Sequence, residues 1–364
     1  MRSFDVVVIG AGPAGASAAR EAAARGAGSV LLLEKESWPR EKLCAGGLSP
    51  IARRQLRKAG LWERVRGQGY PIHAARLRTP GGRDLLLNGG RGALVVRRRP
   101  FDALLVEEAV RAGVELRTSS RAERLIAGRG GPVVLLADGT RIGAGTVIVA
   151  NGAGAPLHRL PRPESSWLAC LCRYEGVPFQ PHTLELYFDA GLFPRYGWLF
   201  PESPDTVNIG FCMERGAPGD GRSPRERLED FLRRSLGERL REARALGRAR
   251  WRPVFPSPRV TPWSLPNVLL AGDALRLVNP FTGEGIGYAL ASGSLAARAH
   301  AAGTARGWDQ ARVQRCYVRS LRRRLEPSLR AGDWVCRRGR PLLRLAARAA
   351  STPLGRRLIY NALA

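Results

Sequence analysis

A chain of 364 residues with 44% hydrophobic content can bury one large core or two coupled domains, and it lies outside the disordered range of composition. Its net charge of +28 is almost wholly arginine, lysine standing only at 35, 42 and 58; such a surface attracts phosphates, diphosphates and acidic headgroups, but the arginines are dispersed without a recognition motif, which argues against a specific nucleic-acid partner or a non-catalytic nucleic-acid-binding protein. Six cysteines without paired metal-ligand spacing predict no metal site, and with no leading signal segment and no apolar run of roughly 20 residues they predict a reducing, cytoplasmic setting and no membrane crossing.

From the N-terminus, Asp5–Ile9 reads as a fully buried strand, Pro13–Arg25 as an alanine-rich helix packed against it, and Val30–Leu33 as a second strand. Such a βαβ unit predicts a parallel sheet that binds ligands at the carboxyl ends of its strands. A loop marked by Pro and Gly (Trp38–Pro50) precedes a short helix from Ile51 and antiparallel strands near His73–Arg78 and Asp84–Leu87. Arg98–Gly113 is helical in pattern, and Val133–Leu136 with Asp138-Gly139 predicts a hairpin leading to a buried strand at Thr146–Ala150. Strand-like runs at Ala169–Tyr174, Thr183–Phe188 and Thr206–Cys212 suit a mostly antiparallel second domain. Val268–Ala271 is a further apolar strand, the segment after Gly283 is helical to about His300, and Arg312 onward is a basic helical tail.

Gly10-Ala11-Gly12-Pro13-Ala14-Gly15 lies between the first strand and helix, where glycines permit a tight turn, close approach of a pyrophosphate and close helix packing. Glu34, about 20 residues on, is placed to accept hydrogen bonds from a ribose, with Lys35 beside it. This motif suits FAD and NAD alike. The second motif separates them: Ala271-Gly272-Asp273-Ala274, then Pro280-Phe281-Thr282-Gly283-Glu284-Gly285-Ile286 opening a helix. Asp273 can hold the ribityl hydroxyls of FAD, and the N–H groups from Gly283 to Ile286 face the flavin pyrimidine, where a helix N-terminus stabilises negative charge.

With these residues the chain resembles, over nearly its whole length, the FAD-dependent geranylgeranyl reductase family, whose fold is shared with aromatic hydroxylases and flavin halogenases. Pro39-Arg40-Glu41-Lys42-Leu43-Cys44-Ala45-Gly46-Gly47-Leu48-Ser49-Pro50 is similar to the family's loop of basic residue, Cys and glycines on the flavin side of the pocket. That implies Cys44 and Ala45 at the cofactor and Gly46 and Gly47 at the substrate. Arg98-Arg99-Pro100-Phe101-Asp102 is similar to the family's Arg-x-x-Phe-Asp helix start, whose Arg lies near FAD. Read from the residues alone, Asp102 is equally part of a helix cap and Arg98 a solvated charge. Tyr196-Gly197-Trp198-Leu199-Phe200-Pro201 is similar to the family's Tyr-x-Trp-x-Phe-Pro motif. Its alternation puts Tyr196, Trp198 and Phe200 on one strand face, which suits a core as well as a ligand wall; the resemblance favours the substrate wall. One segment departs: Asn151-Gly152 through Ala155 to Arg159 carries Asn and Ala where related flavoproteins write the Asp and Ser of Asp-Gly-x-x-Ser-x-x-Arg. That argues against direct use of a nicotinamide donor, and no second GxGxxG offers one a site.

The fold class is therefore α/β: a Rossmann-type FAD-binding domain from 1–72, 95–160 and 262–305, an interleaved, mostly antiparallel β-sheet substrate domain from 73–94 and 161–261, and a helical C-terminal tail, 306–364. The resemblance implies an oxidoreductase that reduces double bonds of an isoprenoid chain, hydride passing from reduced flavin to one carbon and a proton to the other. Cys44 is the first catalytic candidate and Tyr196 the second, although a buried thiol is as often an inert small hydrophobe. NAD(P)H or a reduced carrier protein would supply electrons, and Arg40 and Lys42 would meet an anionic or quinone head. Basic positions between Arg312 and Arg357 alternate with Val313, Leu321, Leu325, Leu329, Leu342, Leu343 and Leu345, a pattern that fits a peripheral contact with the inner membrane face and equally a solvated tail covering the FAD domain. The rival is a monooxygenase or halogenase on the same fold. Halogenases rely on a pocket lysine and a Trp-x-Trp-x-Ile-Pro motif, and here Lys58 falls in a surface helix while Tyr196 and Phe200 hold the aromatic positions.

Overall fold

The computed structural model describes the chain except residues 79–83, 129, 154–156, 158–159, 162, 164, 189–191, 193–194, 216–220, 264, 350–351 and 353–364, with backbone alone at 88–92 and 340–349. The chain opens with β1 (Arg2–Ile9), α1 (Pro13–Ala24), β2 (Val30–Leu33), β3 (Gly47–Leu48), α2 (Pro50–Lys58), α3 (Trp62–Arg66), β4 (Tyr70–Arg78) and β5 (Asp84–Val95). It continues through α4 (Arg98–Arg111), β6 (Glu115–Arg117), β7 (Ala122–Gly128), β8 (Gly131–Leu136), β9 (Arg141–Val149), β10 (Trp167–Glu175), β11 (Thr183–Tyr187), β12 (Gly197–Pro201) and β13 (Thr206–Glu214). The remainder is α5 (Pro224–Ser235), β14 (Arg244–Ala245), β15 (Arg250–Val254), β16 (Val268–Leu270), α6 (Ile286–Ala305), α7 (Gln310–Arg324) and α8 (Glu326–Ala349).

Two compact units result. The first comprises Met1–Glu41, Arg99–Glu164 and Phe255–Gly332. Its sheet runs β6-β2-β1-β9 with β16 beside the end of β9, all parallel, while the antiparallel hairpin β7–β8 pairs with the start of β9. Val6, Val7 and Val8 are wholly buried, as a strand covered on both faces requires. The order reverses between β1 and β9, and the carboxyl ends of these two strands are where such sheets take ligands. Helix α1 is alanine-rich because α6 lies against it: a Cβ on Gly293 would sit 2.0 Å from the Ala14 carbonyl oxygen. Strands β6 and β7 escape the sequence reading, since β6 has only Leu116 between two charged residues and β7 is mostly exposed.

The second unit comprises Lys42–Arg98, Ser165–Val254 and Asp333–Ala364. Its sheet runs β14-β10-β13-β12-β11-β4-β5-β3 with β15 also on β10, antiparallel throughout except for the β11–β4 pair. Helix α5 lays Leu228, Phe231 and Leu232 on one face, and Phe231 is so close that a Cβ on Gly197 would meet its ring at 2.1 Å. Trp198, the next residue along the strand, points to the opposite face, where Gly210 makes room for it.

Two expected boundaries change. Residues 42–72 belong with the second sheet, because β3 and the first residues of β4 pair with β5. Residues 306–332 are part of the first unit and not a tail: Tyr317 Oη donates to the carbonyls of Leu270 (2.8 Å) and Ser292 (3.2 Å). Val313, Leu321, Leu325 and Leu329, read either as part of a lipid contact or as part of a tail covering the FAD domain, are buried in the fold. The side chains of Leu342, Leu343 and Leu345 and all of Arg357 lie outside the described residues. Among the described residues no helix is long and apolar enough to cross a membrane.

Candidate functional site

In the first unit the Gly10–Gly15 turn is fixed by backbone contacts. A Cβ on Gly10 (φ +102°) would lie 2.6 Å from the Ala150 oxygen, and one on Gly15 only 1.8 Å from the Gly10 oxygen. At Gly12 the nearest atom to such a Cβ is an Arg40 nitrogen at 3.5 Å, so this glycine keeps an open side. Pro13 and Ala14 are buried at the start of α1. Glu34 closes β2: its Oε2 accepts from the Ala11 N–H and from Arg40 Nε, both at 3.1 Å, and its Oε1 from the Glu36 N–H at 3.1 Å. Arg40 Nη1 donates on to Asp102 Oδ2 at 3.1 Å.

This arrangement corrects three expectations. Arg40 is held between two buried carboxylates, so its charge is spent inside the first unit and not on a substrate head. Asp102 is the fifth residue of α4, inside the helix and past the N-cap position, and pairs with Arg40. Arg98 is buried, not solvated. Lys35, by contrast, stands exposed beside Glu36.

The second motif folds against the first. Gly272 (φ +63°) donates its N–H to Ser292 Oγ at 2.9 Å, and a Cβ there would press on the Cβ of Ala14 at 2.9 Å. Asp273 follows on the same turn, and a Cβ on Gly285 would come within 3.3 Å of its Oδ1. The loop after Pro280 differs from expectation in one respect. The Gly283 N–H donates to the Asn279 carbonyl at 3.0 Å and that of Glu284 to Thr282 Oγ1 at 3.3 Å, so the amides left to face a ligand are those of Gly285 and Ile286. At the end of β9, beside Gly10, the Asn151 Oδ1 is buried without a hydrogen-bond partner. An orphaned acceptor at the reversal point of the sheet, a glycine with an open side at Gly12 and a helix N-terminus with unused amides suit FAD. Ala155 and Arg159 of the departing segment lie outside the described residues.

In the second unit the loop carrying Cys44 is bound to the sheet along its length. Arg252 Nη1 donates to the Leu43 carbonyl (3.4 Å), Asn208 Nδ2 to that of Cys44 (3.1 Å), and the Val96 N–H to that of Gly46 (2.9 Å). Gly46 takes φ +82°, and a Cβ on it would collide with the Val96 oxygen at 2.2 Å. Ala45 and Cys44 are half-buried, and the Cys44 Sγ accepts from the Gly46 N–H at 3.4 Å. Gly47 lies on the Phe200 ring, which a Cβ there would meet at 3.1 Å.

Phe200 ends a row of rings, Phe188, Tyr196, Trp198 and Phe200, with successive centroids 5.8, 6.4 and 6.4 Å apart. Burial pushes the Tyr196 phenol far above its ordinary range, so it stays protonated at neutral pH. Trp198 Nε1 donates to Asn208 Oδ1 at 2.9 Å, which locks the indole. Asn208 Nδ2 also reaches Glu202 Oε1 at 3.2 Å, and that buried carboxylate is paired with Arg173 (2.8 Å) and Arg97 (3.2 Å). Asn208 thus joins the Cys44 loop to the aromatic row. The sequence reading misses Asn208, Glu202 and Asn279, because nothing local marks a polar residue whose partners lie far along the chain.

Residues 3–159 match the family described as FAD binding domain. The chain is 31% identical to digeranylgeranylglycerophospholipid reductase 2 of Methanopyrus kandleri over 80% of its own length and 76% of the relative's. It is 33% identical to the menaquinone reductase of Mycobacterium tuberculosis, covering 81% of this chain and 76% of that one. Among solved structures, a geranylgeranyl bacteriochlorophyll reductase-like protein from Thermoplasma acidophilum superposes with a TM-score of 0.82 at 25% identity, covering 91% of this chain and 86% of its own.

Proposed function

The chain belongs to the FAD-dependent geranylgeranyl reductase family, and on that premise we propose that this FAD-dependent oxidoreductase saturates carbon–carbon double bonds of an isoprenoid chain carried on a lipid, a quinone or a prenylated metabolite. The observation that carries the reading is the Cys44 loop tied by Asn208 to a row of aromatic rings, an apolar surface suited to a prenyl chain. Bound FAD, once reduced by the electron donor, would supply the hydride for one alkene carbon and return to its oxidised form. The proton for the other carbon comes from the protein, and we assign it to Cys44, with Tyr196 as the second donor. Glu34, Asp273 and the glycines at 10, 12 and 15 hold the cofactor's nucleotide and ribityl parts, and the Gly285 and Ile286 amides at the start of α6 favour negative charge beside them. Lys42, in the Cys44 loop, replaces Arg40 as the basic residue for an anionic head.

The neutral Asn151 favours a reduced carrier protein over NAD(P)H as electron donor. Trp251 and Trp334 are exposed and each has an arginine beside it, Arg250 for the first and Arg338 stacked at 5.0 Å for the second; they are the side chains assigned to a peripheral lipid contact of a cytoplasmic enzyme. The exposed Lys58 at the end of α2 speaks against a halogenase.

The test is anaerobic reduction of the holoenzyme, then mixing with geranylgeranyl diphosphate or a menaquinone while absorbance and product mass are followed together. Reoxidation with products heavier by pairs of hydrogen atoms is expected. Reoxidation by oxygen alone, with every prenyl chain unchanged, would move the assignment to a monooxygenase.

A further inference from the structure

The loop that precedes α6 is organised around one buried side chain, Asn279. Its Oδ1 accepts from the N–H groups of Phe281 (2.9 Å) and Thr282 (3.1 Å), its carbonyl accepts from Gly283 (3.0 Å), and its own N–H donates to the Glu284 carbonyl (2.9 Å). Pro280 has no N–H, the amides from 281 to 283 all turn inward to this one residue and that of Glu284 turns to Thr282 Oγ1, so the first amides left to point elsewhere are those of Gly285 and Ile286. The other end of the same side chain leaves the loop. Asn279 Nδ2 donates to Tyr288 Oη on α6 (3.2 Å) and to the Ser328 carbonyl on α8 (3.0 Å), and Tyr288 Oη in turn meets Ser328 Oγ at 2.9 Å. Helix α8 approaches so closely that a Cβ on Gly332 would lie 2.3 Å from Asn279 Oδ1.

We propose that Asn279 is a positioning residue that sets the direction of the Gly285 and Ile286 amides toward bound FAD and couples them to the start of α8. Its acceptor side shapes the loop and its donor side anchors that shape to two helices, so the two roles can be removed separately. Asn279→Asp keeps the acceptor for Phe281 and Thr282 but cannot donate to Tyr288 or Ser328; Asn279→Ala loses both roles. Gly332→Ala leaves the loop sequence untouched and displaces Asn279 from the α8 side.

The inference depends on FAD binding and is independent of which alkene is reduced. Its test therefore uses the flavin absorption envelope, the midpoint potential and FAD affinity of the full-length protein. Asn279→Ala is expected to weaken FAD binding by about tenfold or more, and Asn279→Asp and Gly332→Ala to shift the absorption envelope and potential with a smaller loss of affinity. Gly332→Ala carries the test if Asn279→Ala does not fold. Folded variants with wild-type affinity, spectrum and potential, altered only in melting temperature, would overturn the proposal and leave Asn279 a packing group.

Discussion

The first unit makes its candidate site from backbone: Gly10, Gly15 and Gly272 sit where an added methyl group would strike a carbonyl or another chain segment, and the groups offered to a ligand are amides at the ends of strands and helices. The second unit makes its site from side chains, with the Cys44 loop, Trp198 and Glu202 meeting on the amide of Asn208. A site defined by backbone is damaged by adding atoms, and one defined by side chains by removing them. The proposed division of labour between cofactor and substrate gives this difference experimental content, because additions in the first unit should cost FAD while deletions in the second should cost turnover.

The largest effect is expected from a deletion. Cys44→Ala removes the assigned proton source and little volume, so FAD content should stay near one per chain while turnover falls by about 10²- to 10⁴-fold. Single-turnover reoxidation of the reduced holoenzyme by substrate measures this directly; an unchanged rate would remove Cys44 from the chemistry and leave Tyr196 as the donor. The complementary addition is Gly285→Val, whose side chain must push against Asp273 and Val278. Overpacking of ~1–3 kcal/mol corresponds to FAD binding weaker by about ten- to a hundredfold. Titration of the apoprotein with FAD reads it, and full retention of flavin would break the contrast at its clearest point.

A smaller loss is expected at Asn208. Asn208→Ala leaves the Cys44 carbonyl and the Trp198 indole N–H without their partner, while Glu202 Oε1 keeps Arg173, a loss on the order of 1–3 kcal/mol in a buried site. Turnover should fall by about tenfold with FAD affinity unchanged. Loss of flavin in this variant would mean that the second unit's polar network serves the cofactor as well as the substrate.

The same contrast decides what can be read from the chain in order. Gly10, Gly12, Gly15, Glu34, Gly272 and Asp273 are legible because a turn after a strand restricts residue type within a few positions of itself. The aromatic alternation at Tyr196, Trp198 and Phe200 is legible for the same reason, since a strand repeats every second residue. Asn208 is not, because the carbonyl it binds is 164 residues away, and neither is the partnership of Arg40 with Asp102, 62 residues apart. Helix α5 could have been found: Ser223 and Glu226 form a capping box, a signal overlooked among its many charges. Residues 306–332 read as a tail because arginines are scattered among their apolar positions, yet Val313, Tyr317 and Leu321 supply one buried stripe.

The smallest functional effect is expected at Glu185, a carboxylate that pairs with Leu199 and so stands on the face of the second sheet opposite Trp198 and Phe200. Burial alone would raise the Glu185 carboxyl, but hydrogen bonds from Arg239 (2.8 and 3.0 Å) and from Tyr187 (2.6 Å) outweigh it and hold the group below the usual carboxylate range. A carboxyl depressed by folding stabilises the native state above its unfolded value, roughly 4.3 for Glu, and that stabilisation is lost as pH falls through the lower folded value. Glu185→Gln removes this contribution while keeping the volume. The variant should lose about 1–3 kcal/mol at neutral pH, the gap to the wild type should close below about pH 4, and FAD content and turnover should be unchanged. Urea unfolding at pH 7 and pH 3.5 decides it: a gap that persists undiminished in acid would show that Arg239 and Tyr187 act there through packing, with the charge on Glu185 contributing nothing.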